Sequence, residues 1–128
     1  MGQLQEIEPE LGKLGWQLIG ISPDRPESVR ETVGKYIMEG LLSDSKASAA
    51  QGFGVAYRVD DTTLKQLQQY GIDIEAASGE KHHILPVPAV FLIGTDGQIK
   101  FQYVHPDYKI RLDPELLLSA AKIISKSP

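Results

Sequence analysis

HILPVPAVFLIGTDGQIKF, residues 83–101, sets two prolines against the start of an apolar run. Proline donates no backbone hydrogen bond, so within a sheet it is confined to edges, bulges and first positions. Pro88 therefore marks the entry of a strand, AVFLI, 89–93. The Asp96-Gly97 pair behind it is a strong short-range hairpin signal. QIKFQYV, 98–104, is the second arm.

Working outward, LDPELLLSAAKII, 112–124, reads as a closing helix with Asp113 as cap and Pro114 at its first position. Upstream, QLQEIEPELGKL, 3–14, places Leu4, Ile7, Leu11 and Leu14 on one helical face, and Gly15 closes the helix. Pro9 is tolerated in a first turn and kinks a helix anywhere later. Met1, Gly2 and Gln3 offer no capping side chain, so the chain is expected to begin inside a helix. WQLIGIS, 16–22, reads as a buried strand. In SPDRPESV, Asp24 and Glu27 have the capping-box spacing, and Pro26 suits an early helical position. A helix over about 26–39 would turn Val29, Val33, Tyr36 and Ile37 to one side. LLSDS, 41–45, is a brief strand running into a turn. KASAAQGFGV, 46–55, suggests a short helix with Ala47, Ala50 and Phe53 facing in. VDDTTLKQLQQYG, 59–71, begins with Asp and Thr caps and carries Leu64, Leu67 and Tyr70 inward. IDIEAASGEKHH, 72–83, has no clear period and reads as a loop. Strands alternating with helices imply an α/β sheet with helices on both faces, made mixed by the final antiparallel hairpin.

The 128 residues suit one domain, 1–128, and an apolar share of 41% supports a core. No apolar run approaches the ~20 residues of a membrane span. The acidic opening MGQLQEIEPEL has neither the basic start nor the apolar stretch of a secretory signal. A net charge of −4 with interspersed signs argues against nucleic acid. There are no cysteines, hence no disulfide, thiolate metal site or cysteine nucleophile in these residues. A cytoplasmic location is the default expectation.

Three blocks then carry a resemblance: ISPDRPESVRE, LLSDSKASAAQGFGV and PAVFLIGTDGQIKF. Their order and spacing resemble the thioredoxin-fold peroxiredoxins, and more narrowly the alkyl hydroperoxide reductase / thiol-specific antioxidant group. The likeness runs over roughly residues 3–125. AYRVDDTTLKQLQQYGIDIEAASGEKHHILP, 56–86, is longer than a minimal member has and resembles a bacterial subgroup with an insertion there. The resemblance implies a thioredoxin-like α/β fold. It implies reduction of hydroperoxides with electrons from a thiol donor such as thioredoxin, without a cofactor. It also implies a cis proline before the penultimate sheet strand; Pro88, after Val87, matches by position, so Val87, Pro88 and Ala89 are the expected backbone shaping the site.

The family's nucleophilic cysteine lies just before the helix that matches QLQEIEPEL, and its strand and loop are expected to precede this chain. In the family a strand would lie between those matching QLIGIS and AVFLI, so the isolated chain is expected to self-associate through unpaired edges. The family arginine that lowers the thiol pKa has no clear match; Arg25, Arg30, Arg58 and Arg111 are not placed for it by any motif. The rival reading is a non-catalytic thioredoxin-fold interaction domain that binds a partner through the same cis-proline face; neither reading involves nucleic acid or membrane.

Other constellations have simpler explanations. His82 and His83 are neighbours whose side chains diverge in an extended segment, so solvated loop histidines account for them better than a zinc site with His105 and a carboxylate. Asp60-Asp61 reads as a helix cap, and the glycines of 52–54 as a helix stop. Ser22 sits at the carboxyl end of a strand, where open α/β sheets bind ligands, but a turn hydroxyl before a helix explains it. Trp16 and Phe91 are expected in the core. Tyr103, His105 and Tyr108 form either an exposed aromatic patch or a rim on the last helix.

Overall fold

The hairpin signal at Asp96-Gly97 is met: β5 (Ala89–Ile93) and β6 (Ile99–Val104) pair antiparallel, with Ala89 opposite Val104 and Leu92 opposite Phe101. Gly97 takes φ +79 in the turn, which a residue with a Cβ adopts only at a cost. The register slips between Leu92 and Ile93, where a bulge absorbs the turn. This computed structural model describes residues 6–36, 40–105 and 112–126, with backbone alone for 32–36. The chain divides into two compact units, residues 1–18 with 88–128 and residues 19–87.

The first unit lays helices on the hairpin. α1 (Glu8–Lys13) follows a turn at Ile7, and Pro9 takes the first-turn position in which proline is tolerated. Proline lacks the N–H that would continue the ladder, and its ring crowds the carbonyl four residues back, so the helix starts anew. Leu4 lies outside the described residues. α6 (Pro114–Lys126) opens with Asp113 Oδ1 accepting the Glu115 N–H at 2.9 Å. Ile7, Leu11, Leu92, Leu112, Leu117, Leu118 and Ala121 form the core of this unit. Val90, Phe101 and Tyr103 pack against it from the hairpin, so one face of β5–β6 is the floor under the helices.

The second unit contains a βαβ element. β1 (Gly20–Ser22) and β2 (Leu41–Ser43) pair parallel and are joined through α2 (Pro26–Tyr36). Val29 and Leu41 bury together on one side of this ladder, as period-two alternation requires. On the other side Ile21 (48% exposed) and its partner Leu42 (55%) face outward, with Ile19 (51%) preceding them. Residues 37–39 lie outside the described residues, and of Val33 and Tyr36 only the backbone is described. α3 (Ser48–Gly52) buries Ala47 and Ala50 but leaves Phe53 exposed, against expectation. α4 (Asp61–Gln69) half-buries Leu64 and Leu67, while Tyr70, expected inward, is 82% exposed because it falls beyond the last helical turn.

Three features depart from the sequence reading. The strand expected over 16–22 is shortened to Gly20–Ser22, because Trp16 packs against the core of the first unit and its Nε1 donates to Ser125 Oγ at 2.9 Å. The segment expected as a loop over 72–83 contains α5 (Ile74–Ser78), capped by Asp73 and closed by Gly79 at φ +76. β3 (Ala56–Arg58) and β4 (Ile84–Pro86) form an antiparallel ladder that no periodicity announces. Instead of one sheet, the described residues hold three two-stranded ladders in a mixed α/β arrangement.

Two exposed carboxylates make the fold sensitive to acid. Asp60 accepts the Thr63 N–H at 2.7 Å as N-cap of α4; that backbone bond, then the Thr63 hydroxyl, holds its pKa below 3.8. Asp96 is lowered first by the Lys100 ammonium at 3.0 Å and then by the Gln98 N–H. A lowered folded pKa means the stabilisation is complete above the unfolded value and is lost as pH falls through the folded one. The thermal midpoint is expected to hold steady near neutral pH and to fall below 3.8. Asp60→Asn should flatten part of that fall. Circular dichroism melts from neutral pH to about pH 2 check this, and an Asn variant with an unchanged acid profile would contradict it.

Candidate functional site

The expected site backbone lies where β4 hands over to β5. Val87 N–H donates to Val55 O at 2.8 Å, and Pro88 O accepts the His105 N–H at 3.3 Å. Pro88 holds the first position before Ala89 opens β5, and the reciprocal bond it lacks is one that this position does not require. Among the described residues no peptide bond is cis, so the Val87–Pro88 bond is trans and the cis expectation is corrected. The trans form is favoured by about 0.5–1 kcal/mol in X-Pro bonds. On either side of the bond the backbone is paired, Val87 N–H with Val55 and Pro88 O with His105.

Ser22 behaves as a turn hydroxyl: its Oγ accepts the Asp24 N–H at 3.1 Å. Beside it, Ser43 Oγ donates to Asp24 O at 2.6 Å, so the carboxyl ends of β1 and β2 are tied together. Among the described residues the Asp24 carboxylate caps no N–H of α2, contrary to the capping-box spacing; Asp24 is held through its backbone N–H and carbonyl. Phe91 is half-buried outside the core cluster, while Trp16 packs against it. Tyr103 and His105 stack with centroids 6.5 Å apart; Tyr108 and Arg111 lie outside the described residues.

The two adjacent histidines lie in the loop before β4 as expected, but both are half-buried and hydrogen-bonded rather than solvated. His82 Nδ1 accepts the Ile84 N–H at 3.0 Å, so the ring proton sits on Nε2, which donates to Ser45 O at 2.6 Å. Both nitrogens of His82 are spent on backbone. His83 takes φ +56, uncommon for any residue with a side chain. Its Nε2 lies 2.6 Å from Glu75 Oε1. The carboxylate accepts from Nε2–H, and in the neutral ring this places the acceptor lone pair on Nδ1. Glu75 stands in the first turn of α5, so this short helix is what brings it to His83. The Asp73…Gly79 cap pair was the signal for that helix. No group of three His, Cys, Asp or Glu suited to a metal occurs among the described residues.

A cavity of about 220 Å³ opens beside this pair, lined by Pro23 and Asp24 at the carboxyl end of β1, by Ile72 and Ile74, and by His83 and Leu85 among others. Its walls are mostly aliphatic. No helix among the described residues is long and apolar enough to cross a membrane.

The model of the AhpC/TSA family matches residues 1–102. Comparison with curated proteins returns no match.

Proposed function

We propose a function that proceeds from one premise: the chain belongs to the AhpC/TSA family. It is a peroxiredoxin-like domain of thioredoxin-like fold, serving hydroperoxide reduction with a thiol donor such as thioredoxin. The observation that shapes this reading is the complete absence of cysteine from the 128 residues. In peroxiredoxin chemistry a thiolate attacks the O–O bond. One oxygen stays on sulfur as a sulfenic acid, and the other leaves as an alkoxide that takes up a proton. Sulfur is oxidised by two electrons and the peroxide is reduced to an alcohol. Serine and histidine do not stand in for that step. These residues therefore supply framework, and the peroxidatic thiolate must come from outside them. The backbone at Val87, Pro88 and Ala89 borders the site in this reading, supported by the position of Pro88 at the start of β5.

The 128 residues alone are expected to show no thiol peroxidase activity. Peroxide loss is followed with hydrogen peroxide and a thioredoxin or dithiothreitol donor. A rate above buffer that survives metal chelation would overturn the proposal.

A second reading, a non-catalytic interaction domain, is favoured by the outward aliphatic side of the β1–β2 ladder. Ile19, Ile21 and Leu42 are each about half exposed there, which suits self-association. Light scattering over roughly a hundredfold dilution should show mass falling toward the monomer. A compact monomer at every concentration would rule out self-association through this face.

A further inference from the structure

We propose that the cavity between the carboxyl end of β1 and the α5–β4 segment binds a small organic ammonium ion with an apolar body. The carboxyl ends of parallel strands are where open α/β units place ligands, and Pro23 and Asp24 of this wall directly follow β1. The volume, about 220 Å³, lies below the ~300–1,000 Å³ of drug-sized sites, so a single ring or short alkyl chain fills it. Ile72, Ile74, Ile84 and Leu85 supply the apolar wall.

The charge of the ligand follows from which polar side chains have capacity to spare. His82 is spent at both nitrogens. Ser78 Oγ donates to Ile74 O at 3.0 Å and accepts the Glu80 N–H at 3.1 Å. The two lining residues that remain are Asp24, whose carboxylate has no hydrogen bond or ion pair with the described residues, and His83, whose Nδ1 is the acceptor of the neutral ring. Glu75 is a positioning residue that holds the His83 proton on Nε2. Both spare groups accept hydrogen bonds, and one carries negative charge. The matching head group brings donors and positive charge, and a carboxylate or phosphate would face repulsion and unpaired acceptors.

The test uses the full chain and three probes of one shape: phenethylamine, phenethyl alcohol and phenylacetate. Binding is read from the methyl NMR shifts of Ile72, Ile74 and Ile84. Phenethylamine should saturate these shifts at millimolar concentration, about tenfold more tightly than the alcohol, a difference of ~1.4 kcal/mol. Phenylacetate should not bind. Asp24→Asn should weaken the amine to the level of the alcohol while leaving the spectrum of the free protein dispersed. The proposal is overturned if phenylacetate binds as well as the amine, if amine and alcohol bind equally to the unaltered chain, or if no probe saturates. Because the three-probe comparison needs no variant, it decides the question even if Asp24→Asn fails to fold.

Discussion

Leu117→Ala is expected to lower stability by about 3–4 kcal/mol, within the range for buried leucine truncations. Leu117 is 1% exposed at the centre of the cluster formed with Ile7, Leu11, Leu92 and Leu118. Those neighbours come from the turn before α1, from α1, β5 and α6, so the vacancy is bounded on several sides and cannot be filled by one side chain swinging inward. For a chain of this size the loss corresponds to a fall in melting temperature of roughly 10–20 °C. Ile123 provides the control on the same helix: it is 67% exposed, and Ile123→Ala should stay within about 0.5 kcal/mol of the parent. Thermal or urea unfolding distinguishes the two. Equal effects would mean that α6 presents a different face to the hairpin.

Asp44→Ala should cost about 2 kcal/mol, more than an ordinary helix cap, because the carboxylate serves two donors at once. Its Oδ1 accepts from Ala49 N–H and its Oδ2 from Ala50 N–H, each at 3.0 Å. The formal N-cap of α3, Ala47, has no side chain able to do this and sits at φ +61. Ala47 and Ala50 are buried, so part of the amide surface freed by the substitution has little access to water. Asp44→Asn retains one acceptor oxygen and should recover about half of the loss. Urea midpoints measure the series. An alanine variant within about 0.5 kcal/mol of the parent would show that the turn at residues 44–47 holds without the carboxylate.

The two predictions differ in what sequence could say about them. The inward face of α6 could be read because 117, 118 and 121 fall on one helical stripe, and Asp113 and Pro114 announce where the helix starts. The β5–β6 hairpin was legible for the same reason: its turn, Asp96-Gly97, lies between the two arms it joins. The Asp60 cap of α4 acts over three residues. Each of these is settled within one turn of chain, where spacing along the sequence is spacing in space.

Asp44 was legible only as a turn residue. Its role as a cap depends on Ala47 taking a left-handed conformation that sets Ala49 and Ala50 against it. The His83–Glu75 pair was hidden twice, by the five-residue brevity of α5 and by the positive φ that turns His83 toward that helix. The β3–β4 ladder joins residues 56–58 to 84–86, and Trp16 bonds Ser125 at 109 residues' separation. The trans bond at Pro88 belongs to the same group, since the backbone on either side of it pairs with distant residues, Val87 with Val55 and Pro88 with His105. Caps, turns and stripes depend on neighbours that the chain carries with it. Ladder partners, side-chain destinations and the acceptors left open in a cavity depend on which distant segments arrive opposite, and that is set by the packing of the whole.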